Sequence, residues 1–154
     1  MTQIIKITEA SYHSEMPLLL TGIARSAKSY WGYPQEWLDS WNDDLTVTQN
    51  ELLANSTFII QEAEDIVGFV MLMKSEPCHS IEHFWIKPNY IGKGFGKKLM
   101  HYLLNQEEVK ESIIQALADP YAEAFYQKSG FVKIADIPSS IPGRSLPLMQ
   151  IQID

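Results

Sequence analysis

The densest chemical signal in the sequence is one short stretch, Ile91-Gly92-Lys93-Gly94-Phe95-Gly96, followed at once by Lys97 and Lys98. Glycines at alternate positions let a backbone turn tightly and bring its N–H groups against a ligand. A helix starting just beyond them adds free N–H groups and a partial positive charge, so the segment reads as a cradle for an anion. From Lys87 through Gln106 the chain carries no Asp or Glu, and four of its twelve cationic residues, Lys87, Lys93, Lys97 and Lys98, fall there. The plainer reading is a Gly-rich connection with solvated lysines. A dinucleotide-binding turn would follow the first strand of a βαβ unit, with an acidic residue about twenty positions on, and a Walker loop would need a hydroxyl after Gly-Lys. Neither pattern is met by Gly96-Lys97-Lys98.

Two further groups could do chemistry. In Ser80-Ile81-Glu82-His83-Phe84-Trp85-Ile86, strand alternation puts Glu82 with Phe84 and Ile86, and His83 with Ile81 and Trp85. A carboxylate among apolar neighbours has a raised pKa, useful in a base, which makes Glu82 the first candidate and His83 the second. For each, the competing reading is a hydrogen-bonded structural group. Cys78, His79, Glu82 and His83 crowd together, yet His79 and His83 lie about 13 Å apart on a strand rising roughly 3.3 Å per residue, beyond the reach of one zinc ion. No metal site is expected.

The second group spans Tyr30 to Asp44 and holds three of the four tryptophans, Trp31, Trp37 and Trp41, with Tyr33 and four carboxylates. An aromatic and acidic lining suits a cationic, partly apolar amine. Alternatively Trp37 and Trp41 are core residues, and the acids a solvated helix face.

The elements that must position these residues follow from periodicity. Ile4, Ile5 and Ile7 mark an opening strand, Ser14 to about Gly32 a helix with Pro17 in its first turn, Pro34 to Asn42 a second helix, and Thr48 to Asn55 a short third. Three β-branched and aromatic runs follow, TFIIQEAED, IVGFVMLMKSE and CHSIEHFWI, which predict an antiparallel meander. After the Gly-rich turn comes a helix with Leu99, Tyr102, Leu103 and Gln106 along one face. Then a buried strand covers Ser112 to Ala118, a helix runs from Pro120 to Ser129 and stops at Gly130, and one or two strands end the chain. The order β-α-α-β-β-β-α-β-α-β describes an α/β (α+β) layer domain.

Composition bounds the rest. The chain has 154 residues, 45% apolar and 20% charged, which supports one continuous domain with a full core and excludes disorder, collagen and coiled coil. A net charge of −7 argues against nucleic acid as a partner, since that binding is driven by cations that displace phosphate counterions. No apolar run approaches a membrane span, and the N-terminal stretch lacks the build of a signal peptide. Cys78 is the single cysteine, so no internal disulfide forms. These features predict a soluble, cytoplasmic chain without a membrane partner, a monomer or homodimer.

Over nearly its whole length the sequence resembles the GCN5-related N-acetyltransferase (GNAT) superfamily, small-molecule type. That family carries Gln/Arg-x-x-Gly-x-Gly/Ala after its fourth strand, and this chain has Ile91-Gly92-Lys93-Gly94-Phe95-Gly96, with Ile91 replacing the polar residue. Downstream, Asp119-Pro120-Tyr121-Ala122-Glu123-Ala124-Phe125-Tyr126-Gln127-Lys128-Ser129-Gly130-Phe131 is similar to the family's Asn-x-x-Ala-x-x-Phe-Tyr-x-Lys-x-Gly-Phe, with Asp119 at the Asn position. The resemblance implies a mostly antiparallel central sheet flanked by helices, the acyl-CoA N-acyltransferase fold. It implies acetyl-CoA as co-substrate, held by Ile91, Gly92, Lys93, Gly94, Phe95, Gly96, Lys97 and Asp119 and, where the fourth and fifth strands splay, by backbone of Phe84, Trp85 and Ile86.

Tyr126, which alone reads as a core aromatic, becomes by resemblance the acid for the departing thiolate and a cofactor contact. Transfer from a thioester to an amine passes through an oxyanion and needs a neutral amine, hence a donor and a base. A glutamate position well known in the family falls at Ser80 rather than at Glu82. The acceptor, a small-molecule amine, would meet Trp31, Tyr33, Trp37 and Glu82, and Arg144 in Ile141–Pro147, a segment resembling the tail of some small-molecule members. Two alternatives stand beside the enzyme reading: a non-catalytic acyl-CoA sensor, and a protein or peptide N-acetyltransferase.

Overall fold

A computed structural model describes all residues, Met1–Asp154. Seven strands, β1 (Thr2–Lys6), β2 (Ser56–Glu62), β3 (Asp65–Met73), β4 (Cys78–Ile86), β5 (Ile113–Leu117), β6 (Val132–Pro138) and β7 (Ser145–Gln152), form one sheet in the order β1-β2-β3-β4-β5-β7-β6. Every neighbouring pair is antiparallel except β4 and β5. The sheet is thus mixed and mostly antiparallel, as the resemblance implies, and the meander β2-β3-β4 predicted from the sequence is present.

Helices cover both faces. On one side lie α1 (Met16–Ser29), α2 (Gln35–Ser40), α3 (Asn42–Leu45) and α4 (Gln49–Ala54), whose Leu20, Ile23, Leu45 and Leu52, with Trp41 at the junction of α2 and α3, pack on Ile59, Phe69 and Met71. On the other lie α5 (Phe95–Leu104) and α6 (Glu123–Lys128), where Leu99, Leu103 and Tyr126 meet Phe58, Ile60, Val70 and Leu72. Burial on both faces explains why β2 and β3 read as continuous apolar runs rather than alternating ones. Each large apolar side chain enclosed in this way contributes about 1.5–3 kcal/mol. Local chemistry sets the ends: the Thr48 hydroxyl accepts the Glu51 N–H at 3.2 Å to cap α4, and Pro17 sits in the first turn of α1.

Four expectations change. The predicted helix over Pro34–Asn42 is α2 alone, and α3 is an additional turn that brings Leu45 into the core. The buried stripe of α5 is Phe95, Leu99, Met100 and Leu103, whereas Tyr102 is 37% exposed and Gln106 lies past the helix end. The segment Pro120–Ser129 divides into a single 3-10 turn over Pro120–Ala122 and then α6. Lastly, alternation along β4 is broken by a bulge: Met71 pairs with His83, but the next residue, Leu72, pairs with Ile81. Glu82 is the extra residue. Ile81 therefore shares the face of Phe84 and Ile86, while His83 packs against Phe69 on the face of Trp85.

Candidate active site

The parallel pair β4/β5 holds for three registers only, Cys78–Ile113, His79–Ile114 and Ser80–Gln115. Beyond Ser80 the bulged β4 bends away, and β5 continues against β7 through Ala116–Met149 and Leu117–Leu148. The wedge between them is a cleft of about 460 Å³. Its β4 wall runs from Ile81 to Ile86, and Leu117, Ala118, Phe125 and Tyr126 stand opposite. From Ile81 on, β4 has no neighbour on its β5 side, so the backbone groups on that edge face the cleft.

The Gly-rich turn closes one end. Gly92 (φ 81°) and Gly94 (φ 89°) adopt the left-handed conformation, and nothing lies within 4 Å of where a Cβ would stand on either. The turn therefore offers bare backbone. The first bond inside α5 is donated by the Lys98 N–H to the Gly94 carbonyl at 3.1 Å, which leaves the N–H groups of Phe95, Gly96 and Lys97 ahead of the helical ladder. Gly96 allows α5 to approach α6, since a Cβ there would sit 3.3 Å from the Phe125 ring.

Ile91, Gly92, Gly94, Gly96 and Lys97 line the cleft together with Tyr90. Phe95 does not line the cleft, its ring being buried in the core. Lys93 is exposed, its Nζ 5.8 Å from the Tyr90 ring centre, and Lys87 is paired with Asp65 at 2.8 Å. A phosphate-bearing ligand fits this turn: open amides, left-handed glycines with no side chain to cover them, and a nearby carboxylate, Asp65, already engaged by Lys87 and by the Tyr90 hydroxyl.

Along the cleft, Glu82 is exposed on the β4 side. Partial burial raises its carboxyl pKa, and the Glu51 carboxylate adds to the effect. His83 is 6% exposed and accepts the Trp85 indole N–H at 3.0 Å. Burial lowers its pKa, against the opposing pull of Glu51 and Asp44. A neutral imidazole has one free ring lone pair, and here the indole takes it. Tyr126, opposite, is enclosed by Phe84, Phe125 and Phe131, and burial alone pushes its phenol pKa far above the ordinary value.

The other end is built from side chains. Trp31 and Tyr121 stack with centroids 4.8 Å apart and planes 4° from parallel, and both line the cleft. Behind them Asp119 accepts Lys28 Nζ at 2.5 Å, the Tyr33 hydroxyl at 2.9 Å on each oxygen and the Tyr121 N–H at 2.9 Å. Arg144 Nη2 donates to the Tyr33 hydroxyl at 3.0 Å and stands 3.7 Å from Asp119. Its guanidinium lies 5.0 Å from the Trp41 ring centre and 6.0 Å from that of Trp37. Burial lowers the pKa of Lys28, with Asp119 acting to restore it, and raises that of Tyr33 to about 12.

The structure thus brings Trp31, Glu82, Asp119 and Tyr126 to one cleft and sets Tyr33, Trp37 and Arg144 just behind its wall. Sequence reasoning missed Lys28, for which a single lysine late in an amphipathic helix gives no signal. It also missed Tyr121, which sits at a variable position of the second motif. No group of three or more His, Cys, Asp or Glu side chains is arranged to hold a metal ion.

The sequence model of the acetyltransferase (GNAT) domain matches residues 54–133, which takes in β2 to α6 and so most of the cleft. Solved structures with the same fold include a GCN5-related N-acetyltransferase from Rhodopseudomonas palustris (20% identity, TM-score 0.77, 98% of this chain and 95% of that one). Another is the PaiA N-acetyltransferase of Thermoplasma acidophilum in complex with coenzyme A (18%, 0.74, 99% of each). A third is the ribosomal-protein-S18-alanine N-acetyltransferase of Escherichia coli (16%, 0.69, 99% and 94%). No curated protein matches the sequence. Because the domain model covers 80 of the 154 residues, with the fold agreeing over the full length, the chain belongs to the GNAT acetyltransferase family.

Proposed function

We propose that the chain is an acetyl-CoA-dependent N-acetyltransferase that moves an acetyl group directly to a primary amine of a small molecule. The observation that carries this reading is the cleft where β4 and β5 part, with a backbone cradle at one end and an ionisable pair, Glu82 and Tyr126, on opposite walls. A GNAT relative of the same fold is described in complex with coenzyme A, which supports the choice of ligand.

In this reading the amides of Gly92, Gly94, Gly96 and Lys97 and the Lys97 ammonium hold the diphosphate. The helix start contributes its partial positive charge, and the unpaired edge of β4 offers N–H groups to an amide-bearing chain and to a carbonyl oxygen. Acetyl-CoA supplies an activated acetyl group and a thiol that leaves. Glu82 takes the proton of the incoming amine, and its raised pKa keeps it a stronger base than an ordinary glutamate. Glu82 is favoured over His83 because the imidazole lone pair is committed to Trp85. Tyr126 holds a proton at its hydroxyl on the facing wall, and its enclosure keeps the phenol protonated at neutral pH. Direct transfer needs no nucleophile, and Cys78, the free thiol, does not line the cleft.

The test is a panel of primary amines assayed with acetyl-CoA by thiol release. Turnover with a small amine, lost in Glu82→Gln, is the expected result. Coenzyme A binding without turnover on any amine would favour a sensor, and turnover only on peptide N-termini a protein acetyltransferase.

A further inference from the structure

The resembled motif has Asn where this chain has Asp119, a position tied by the resemblance to the cofactor. Both carboxylate oxygens of Asp119 are instead occupied from within the protein, by two groups remote in sequence, Lys28 at the end of α1 and Tyr33 in the loop before α2, and by the amide of Tyr121 two residues on. Arg144, from the loop before β7, joins through the Tyr33 hydroxyl. The side chain of Asp119 is 8% exposed, that of Lys28 11% and that of Arg144 13%. Two cations and one carboxylate therefore share a nearly dry site, roofed by the rings of Tyr33, Trp37 and Trp41. A neutral Asn would leave both cations without the carboxylate they share, with only the more distant Asp44 acting on Lys28, which in a buried site is strongly unfavourable. The extra charge at this position is thus answered by two residues of this chain.

We propose that Asp119 is a positioning residue of the acceptor side and not a cofactor contact: its carboxylate latches the Trp31–Tyr33 loop and the Arg144 loop to the turn that begins the Tyr126 helix. Through Tyr121 the latch fixes that turn, and through Tyr33 it fixes the loop whose Trp31 stacks on Tyr121. The wall that an acceptor meets and the helix that carries Tyr126 then move as one body. The kinetic part of this inference rests on the acetyltransferase reading above; the structural part does not.

Two measurements on the full chain decide it. In the ligand-free protein, Asp119→Asn is expected to speed amide hydrogen exchange in residues 30–34 and 139–144, leaving the Gly92–Gly96 turn and α5 unchanged. In kinetics the same variant is expected to raise the KM for the amine by about tenfold or more, as misplacement of positioning groups does, while coenzyme A affinity stays within about twofold. Adding Lys28→Met to Asp119→Asn returns the site to one net positive charge and is expected to recover part of the loss. Should Asp119→Asn fold poorly, Tyr33→Phe removes only the hydroxyl that joins Asp119 to Arg144 and is expected to show the same exchange pattern, weaker. The proposal is overturned if exchange in these loops does not change, or if Asp119→Asn weakens coenzyme A about tenfold with an unaltered amine KM. A wild-type chain that binds no coenzyme A would defeat the acetyltransferase reading alone, since the exchange experiment needs no ligand.

Discussion

The two ends of the cleft are made of different material. At the Gly-rich end the working groups are backbone amides, fixed by φ angles that glycine adopts freely and by the first turn of α5. At the Trp31 end they are side chains drawn from α1, from two loops and from the end of β5, held by one carboxylate. A backbone site suits what all substrates of a family share, which in the function proposed above is a phosphate-bearing carrier. A side-chain site can vary without disturbing the sheet, and so suits the part of the reaction that differs between family members.

Substitutions in the two regions should therefore separate carrier binding from chemistry. Between the two ends, Glu82→Gln should reduce kcat by about 100-fold to 1,000-fold, the usual range for loss of a general base, with coenzyme A affinity unchanged by calorimetry. The pH profile gives a second reading of the same residue. As the proposed base Glu82 would work ionised, and its pKa is raised by burial and by Glu51, so activity should fall as pH drops through a value above the ordinary glutamate range. That acidic limb should vanish in Glu82→Gln.

Tyr126→Phe should lower kcat by about 10-fold to 100-fold with the cofactor still bound, because the ring that packs on Phe84 and Phe131 is kept and only the proton is lost. At the backbone end, Gly94→Ala should weaken coenzyme A by about 5-fold to 30-fold, the equivalent of about 1–2 kcal/mol for an L-residue held left-handed, and leave kcat at saturation nearly intact. Equal loss of kcat in Gly94→Ala would blur the division between the ends. The smallest effect is expected for Lys97→Ala, about threefold in affinity and diminishing as salt rises, since an exposed charge is screened.

The same contrast explains what could be read from the sequence. The Gly-rich turn was legible because backbone geometry is written in residue type: Gly92 and Gly94 have to be glycine where φ is near 80–90°. The meander was legible because β2 and β3, covered on both faces, carry unbroken apolar stretches, Phe58–Ile60 and Ile66–Met73. The face assignment on β4 failed because a one-residue bulge shifts parity without changing composition, which returned Ile81 to the face of Phe84 and left Glu82 as the extra residue. The Asp119 cluster was hidden because its members lie 86 to 111 residues from one another along the chain where they touch Tyr33 and 91 where Lys28 meets Asp119. Arg144 and Tyr33 were each reached as acceptor-side candidates, Arg144 through the resemblance of its segment, but their pairing with each other was not.

In the function proposed above, the opening between β4 and β5, with its glycine-built end, receives coenzyme A. Calorimetric titration of the full chain with coenzyme A tests it most directly. Saturable one-to-one binding that weakens in Gly94→Ala and is unaffected by Glu82→Gln is the expected result; absence of heat and of thermal stabilisation at millimolar coenzyme A would rule this ligand out.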